Sequence, residues 1–310
     1  MNITKRVYNL NPYLRLLRFE SWVGWLFNFA LGSILFEIPP VGRLLMFSLI
    51  FILSTVAIFV LNQYFDCEDD KLNVLKRDLP ISTGDISAKK AIRIFFFLSA
   101  LSIFFVLLTD VSILPLVLAY LGLWISYSAP PLRLKNRSII DVIVAGVGSG
   151  ALPFIIGLQV TQRLTLDFSS VWIMRRYQDA FFSVIPLLLF HSASHIFQTV
   201  GDYEADLRGN VHTFAVKYGK ETSLNVGKLL LLFSALLPIA YWFLNLSLVD
   251  FFFWYLLILI CCAPGIFYAM HKLQNPSTDN IAVLRNLSRK VSAPMFCLIW
   301  IYVLIIKLSL

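Results

Sequence analysis

Two short strings in this chain concentrate carboxylates in a way that invites chemistry. The first is Asn62-Gln63-Tyr64-Phe65-Asp66-Cys67-Glu68-Asp69-Asp70. The second is Gly201-Asp202-Tyr203-Glu204-Ala205-Asp206-Leu207-Arg208-Gly209. Each contains Asp-x-Glu-x-Asp, an echo of a weak internal duplication. Residues four apart share a helix face, so Asn62, Asp66 and Asp70 form one stripe and Asp202 and Asp206 another, with Glu68 and Glu204 turned away. Both strings end apolar runs, where a helix dipole already presents partial negative charge. Carboxylates there repel the dipole and each other, and a divalent cation relieves both. Oxygen donors without Cys or His favour Mg²⁺, which commonly binds one or two carboxylates plus phosphate oxygens. The competing reading, solvated acidic loops, suits one cluster better than two with the same spacing.

Basic residues stand near both strings. Lys76-Arg77-Asp78-Leu79-Pro80 follows the first, Tyr127-Ser-Ala-Pro-Pro-Leu-Arg133-Leu-Lys135 lies between them, and Arg208, Lys217 and Lys220 accompany the second. Acids that hold Mg²⁺ with Lys and Arg around them make a site for a diphosphate. For each cation singly, ordinary membrane-surface bias is the competing account. His191 and His195 precede Asp202 and Asp206 on the same run. At 100° per residue all four lie within about 60° of one another. Ionisable residues inside a membrane helix usually face the bundle interior. The pair is therefore expected to line the same cavity, one to two turns deeper. His195 is expected to orient an acceptor or take up a proton and His191 to be structural, while a buried hydrogen-bonded pair is the bland alternative.

The elements that must position these groups are membrane helices. Hydrophobic residues make up 58% of the 310 and charged ones 14%, against about 25% charged in soluble domains. A soluble core cannot bury that much apolar material. A bilayer needs about 20 apolar residues per helix, and the chain offers nine candidate spans: 22–37, 43–63, 91–108, 112–130, 138–159, 180–200, 224–246, 250–271 and 291–309. The runs are continuously apolar, unlike barrel strands. The expectation is an all-α bundle of nine transmembrane helices, a single domain over 1–310, with 1–21 as a cytoplasmic N-terminal segment.

The net charge of +8 does not call for nucleic acid, because the basic residues lie between apolar runs. Of the 26 Lys and Arg, 21 fall on the side of the N-terminus and both acidic strings and five on the other. That ratio places the N-terminus and the site mouth in the cytoplasm and the C-terminus outside. No cleaved signal peptide is visible. Cys67, Cys261, Cys262 and Cys297 make no spaced framework, so neither a disulfide scaffold nor a zinc site is expected.

Asn62-x3-Asp66-x3-Asp70, Arg77-Asp-Leu-Pro80, the Tyr127–Lys135 loop, Asp202-x3-Asp206 and Gly209-x3-Thr213-x-Ala-Val-x-x-Gly219 occur in that order. Together they resemble the UbiA-type intramembrane prenyltransferases, from about residue 15 onward. The chain departs from the family in reading Asn62-Gln63 where Asn-Asp is usual, and Arg77-Asp-Leu-Pro-Ile-Ser-Thr-Gly84 where Arg-Pro-Leu-Pro-Ser-Gly is usual. The resemblance implies nine helices around a central cavity and Mg²⁺-dependent transfer of a prenyl group from its diphosphate to a lipophilic acceptor of quinone-precursor, ether-lipid, carotenoid or tetrapyrrole type. It implies Asn62, Asp66, Asp70, Asp202 and Asp206 as metal ligands. Asn62, Arg77, Arg133, Lys135 and Arg208 would contact the diphosphate. Asp66, Asp70, Asp202 and Asp206 would carry the catalysis, joined by His195 on the strength of its place on their stripe. No obligate protein partner is expected. Two rivals remain at this point. A transporter with an acidic gate is disfavoured because its acids would sit near midplane on broken helices. A prenyl-diphosphate cyclase or phosphatase would use the same ionisation without an acceptor.

Overall fold

The computed structural model describes residues 11–34, 37–73, 76–161 and 171–244, and all regular structure among them is helical. In chain order the helices are α1 (Pro12–Leu17), α2 (Phe19–Ile34), α3 (Val41–Phe65), α4 (Cys67–Leu72), α5 (Ala88–Thr109) and α6 (Leu114–Ser128). They continue with α7 (Ser138–Gly146), α8 (Leu152–Leu158), α9 (Val171–Arg208), α10 (Phe214–Tyr218) and α11 (Lys220–Phe243). A π-helical turn, Val147–Ala151, joins α7 to α8.

Six stretches are long and apolar enough to cross a bilayer: Val41–Phe65, Ala88–Thr109, Val111–Ser128, Ser138–Leu158, Ala180–Arg208 and Lys220–Tyr241. They correspond to the second through seventh expected spans. The first expected span, 22–37, is instead the 16-residue α2, which starts at Phe19 and ends at Ile34 ahead of Pro39-Pro40. The expected spans 250–271 and 291–309 lie outside the described residues.

The core is aromatic and aliphatic, with Phe29 stacked on Phe51 at 5.0 Å between ring centres. Lipid tails are as apolar as these side chains, so helix association needs close backbone approach and hydrogen bonds between helices. Ser54 Oγ meets Ser102 Oγ at 2.7 Å between α3 and α5, and Thr55 Oγ1 meets the Tyr120 hydroxyl at 3.0 Å between α3 and α6. Where α2 crosses α8, a Cβ on Gly32 would collide with the Phe154 carbonyl oxygen and one on Gly157 with that of Phe29. The crossing exists because both residues are glycine. At the end of α3 remote from Asp66, Arg43 donates to Asp110 at 2.8 Å and to the carbonyls of Val160 and Gln159. It thereby closes that end of the bundle.

This packing predicts that Gly157→Val forces α2 and α8 apart. The expected loss is about 1–3 kcal/mol by overpacking, read as a lower thermal unfolding midpoint in detergent. An unchanged midpoint would mean that the crossing is not close in the protein.

Candidate functional site

A cavity opens among α2, α3, α6, α7 and α9 and is walled by the functional side chains of both acidic strings. Asn62, Asp66, Lys76, Lys135, His191, His195, Asp202 and Asp206 all line it, together with Arg18 near the start of the chain. The long α3 ends at Phe65, and Asp66 is the hinge from which α4 turns. Asn62 Nδ2 donates to Asp66 Oδ2 at 2.7 Å, and the Asp70 amide donates to the Asp66 carbonyl at 2.7 Å. The i, i+4 stripe therefore survives the break. Glu68 and Glu204 point outward and pair with Lys71 and Lys220, as helical spacing requires.

Cations meet the buried carboxylates. Lys135 is a buried residue, 7% exposed, and its ammonium contacts Asp66 and lies 3.2 Å from Asp69, to which Arg133 also donates at 2.6 Å. Lys76 lies 2.7 Å from Asp202 and 4.0 Å from Asp70, and Asn73 Nδ2 donates to Asp202 at 2.7 Å. The loop after the first string thus joins it to the second. Asp206 accepts from Thr213 Oγ1 at 3.1 Å. Asp70 is buried but stands behind Lys76 instead of on the cavity wall. Burial pushes its carboxyl up to about 6, against the pull of Lys76 and with help from the Asp66 charge.

Among the described residues no three His, Cys, Asp or Glu side chains converge into a closed metal shell. The donor set nevertheless fits a hard divalent ion. It is all oxygen, its Asn62, Asp66, Asp202 and Asp206 members face one cavity, and the Lys76 and Lys135 ammonium groups that neutralise the acids suit an anionic diphosphate bound with the ion.

Not every expected residue comes to the wall. Arg77 and Arg208 are exposed at the periphery, and Arg133 acts on Asp69 outside the cavity. Lys76, one position before Arg77, is the cation of that segment that reaches the acids. Sequence reasoning also passed over Arg18, Asn28, Asn73 and Asp141. Asp141 had a readable signal, as an acid within an apolar span. It is fully buried, and its Oδ1 accepts from the Tyr127 hydroxyl at 2.9 Å and meets His195 Nε2 at 2.8 Å. His191 lines the cavity as well, its Nε2 2.6 Å from Asn28 Nδ2. α9 comes this close to α7 because a Cβ on Gly146 would lie 2.9 Å from the Leu188 carbonyl oxygen, and one on Gly150 in the π turn 2.6 Å from that of Leu187.

Above the acids the wall is aromatic. Trp25 and Trp124 stack at 4.9 Å, Phe59 packs on Trp25 at 5.0 Å, and Tyr127 meets Trp124 edge-on at 5.1 Å. The cavity is thus polar and charged at one end and lined by π faces beyond it.

Comparison with known proteins assigns this arrangement. The model of the UbiA prenyltransferase family matches residues 25–300. The chain belongs to that family. It is 27% identical over 245 residues to a lycopene elongase/hydratase of Corynebacterium glutamicum, covering 75% of this chain and 79% of that one. It is 24% identical to a digeranylgeranylglyceryl phosphate synthase of Methanosphaera stadtmanae, covering 88% and 92%. Among solved structures, a UbiA homolog from Archaeoglobus fulgidus bound to GPP and Mg²⁺ has the same fold, with a TM-score of 0.72 at 23% identity over 94% of this chain and 99% of that one. The protein is an integral membrane prenyltransferase: it transfers a prenyl group from a prenyl diphosphate to a lipophilic acceptor and releases diphosphate.

The raised Asp70 carboxyl predicts a trade between stability and site. An acid raised from 3.8 to about 6 costs folding stability wherever it is ionised in the folded state. The cost is full above pH 6 and vanishes below 3.8. Asp70→Asn should raise the unfolding midpoint at pH 8 in EDTA by the equivalent of roughly 2–3 kcal/mol. The gain should shrink towards pH 4. A variant less stable than wild type at pH 8 would refute the assignment.

Proposed function

We propose that the two aspartate strings hold Mg²⁺ together with the diphosphate of the donor, at the cytoplasmic mouth of the cavity. The observation that carries this reading is the Lys76 ammonium between Asp70 and Asp202, because it ties both strings to one charge site. Asn62, Asp66, Asp70, Asp202 and Asp206 are the metal-binding set. The bound ion supplies Lewis-acid stabilisation of the departing diphosphate.

The protein's own groups do the rest. Lys76, Lys135 and Arg18 face the cavity and neutralise diphosphate oxygens. Arg133 steadies Lys135 through their shared partner Asp69. Arg77 and Arg208, at the periphery, add to the positive field that draws the anionic donor in. As the bond from prenyl C1 to oxygen breaks, its electron pair leaves with the diphosphate. The allylic cation lies against the faces of Trp25, Phe59, Trp124 and Tyr127. An electron pair of the acceptor forms the new bond to C1, and the acceptor proton goes to His195.

The relatives support an Mg²⁺ requirement, since Archaeoglobus fulgidus homologs were solved with Mg²⁺ and either GPP or DMAPP. Asp66→Ala and Asp202→Ala should each lower transfer from geranyl diphosphate by at least about 10²–10³-fold, and EDTA should do the same to wild type. Glu68→Gln should leave the rate within a few-fold. Full activity in EDTA would refute the metal role.

The same reading takes residues 1–310 as one domain of nine transmembrane helices, with the N-terminus cytoplasmic and the C-terminus outside. The 21-to-5 distribution of Lys and Arg supports this orientation. Single cysteines at Ser82 and Thr278 should react with an impermeant maleimide only from the cytoplasmic side, and one at Thr165 only from the other. Ser82 and Thr278 labelled from opposite sides would overturn the topology.

A further inference from the structure

His191 and His195 lie one turn apart on α9 and both face the cavity, yet their hydrogen bonds set them to opposite roles. Asn28 is buried, and its Nδ2 donates to the Ser149 carbonyl at 2.9 Å. A carbonyl only accepts, so that contact fixes which way the amide points. The second Nδ2 hydrogen is then aimed at His191 Nε2, 2.6 Å away. Nε2 must accept, and a neutral His191 carries its proton on Nδ1. Asp141 imposes the reverse on His195. Its Oδ1 already receives the Tyr127 hydroxyl and lies 2.8 Å from His195 Nε2, which therefore carries the proton. The lone pair of His195 is left on Nδ1. Asp141 Oδ2 is buried without a hydrogen-bond partner, so the carboxylate holds reserve negative charge beside the imidazole.

We infer that Asn28 and Asp141 are positioning residues that make the two histidines a donor and a base for one oxygen of the acceptor. His191 Nδ1–H donates to that oxygen, and His195 Nδ1 takes its proton. This rests on the arrangement of the site proposed above, and it names the acceptor class: a lipophilic molecule bearing a hydroxyl or phenol. Four residues of helix rise about 6 Å, the span of two hydrogen bonds of about 2.8 Å meeting on one oxygen atom. The step balances. The C1–O bond breaks with its electrons on diphosphate, the acceptor forms the new bond to C1, and its hydroxyl proton ends on His195 Nδ1. The resulting imidazolium faces Asp141, which keeps the ring in the productive tautomer, as carboxylates do in catalytic triads. Tyr127 donates to the same Oδ1 and also belongs to the aromatic wall, so the base and the surface facing the prenyl cation are fixed by one hydrogen-bond chain.

The direct test needs no acceptor. Protein labelled with ¹⁵N-histidine is examined by NMR in detergent at pH 8, with His191→Gln and His195→Gln assigning the signals. His195 should be protonated on Nε2 alone and His191 on Nδ1 alone. In Asp141→Asn an amide able to donate replaces the carboxylate, and His195 should shift towards the Nδ1-protonated form. A wild-type His195 protonated on Nδ1 or on both nitrogens, or a His191 protonated on Nε2, overturns the inference.

Kinetics supply the second arm, with geranyl diphosphate as donor and homogentisate, geranylgeranylglyceryl phosphate and lycopene as acceptors. Wild type should prenylate a hydroxylated member. Asp141→Asn should lower kcat for that acceptor by about 10²-fold or more, with geranyl diphosphate KM unchanged. In His195→Gly, added imidazole should restore a measurable part of the rate. Transfer to lycopene alone, transfer to none of the hydroxylated acceptors, or an Asp141→Asn kcat equal to wild type overturns the inference. Failure of wild type to bind geranyl diphosphate in a Mg²⁺-dependent manner would instead overturn the proposed function, leaving the tautomers as measured.

Discussion

Carboxylate charge kept out of water is the constraint that organises this molecule. Asp66, Asp70 and Asp141 are buried, and Asp202 and Asp206 face a shared cavity. A buried charge persists only when hydrogen-bonded and paired, and removing one partner of such a pair typically costs several kcal/mol. Asp141 meets Tyr127 and His195 on neighbouring spans, but the spans carry few cations for the acids at the mouth. Partners for those acids come from the connecting segments. The stretch after α4 delivers Asn73 and Lys76, and the stretch after α6 delivers Arg133 and Lys135. These segments are held against the bundle by the charges they neutralise, so the mouth of the cavity and the site are one structure.

The same balance gives the cavity its chemistry. Lysines that neutralise acids in the resting protein are mobile cations on long stems, placed where a diphosphate and a divalent ion would together rearrange them. Asp70 is raised chiefly by burial, so its ionised form is costly in the folded chain. Aromatic faces and hydrogen-bonded imidazoles line the same cavity as the acids.

Close packing makes this order possible. Gly150 lets α9 lie against the π turn between α7 and α8, and that contact brings His195 to Asp141. Gly32 and Gly157 do the same for α2 and α8, with Asn28 one turn from Gly32 on α2 and bonded to Ser149. Small residues at these crossings let backbones approach, and the polar side chains then find partners without water.

Much of this was legible in the sequence because it is local. Apolar run length gives the spans, and i, i+4 spacing puts Asn62, Asp66 and Asp70 on one stripe, with Glu68 and Glu204 outside it. What tertiary structure alone decided is which side chains meet. Lys76 and Arg77 are adjacent and both basic, and only the path of the chain after α4 turns Lys76 inward and leaves Arg77 exposed. Arg18, Asn28 and Asp141 lie 52 or more positions from Asp70, His191 and His195 respectively, so no periodicity relates them. A membrane span announces itself through composition, since every residue in it must satisfy lipid. A hydrogen bond between helices depends on the rotation and depth of two elements at once, and those are set by packing that no single stretch of sequence contains.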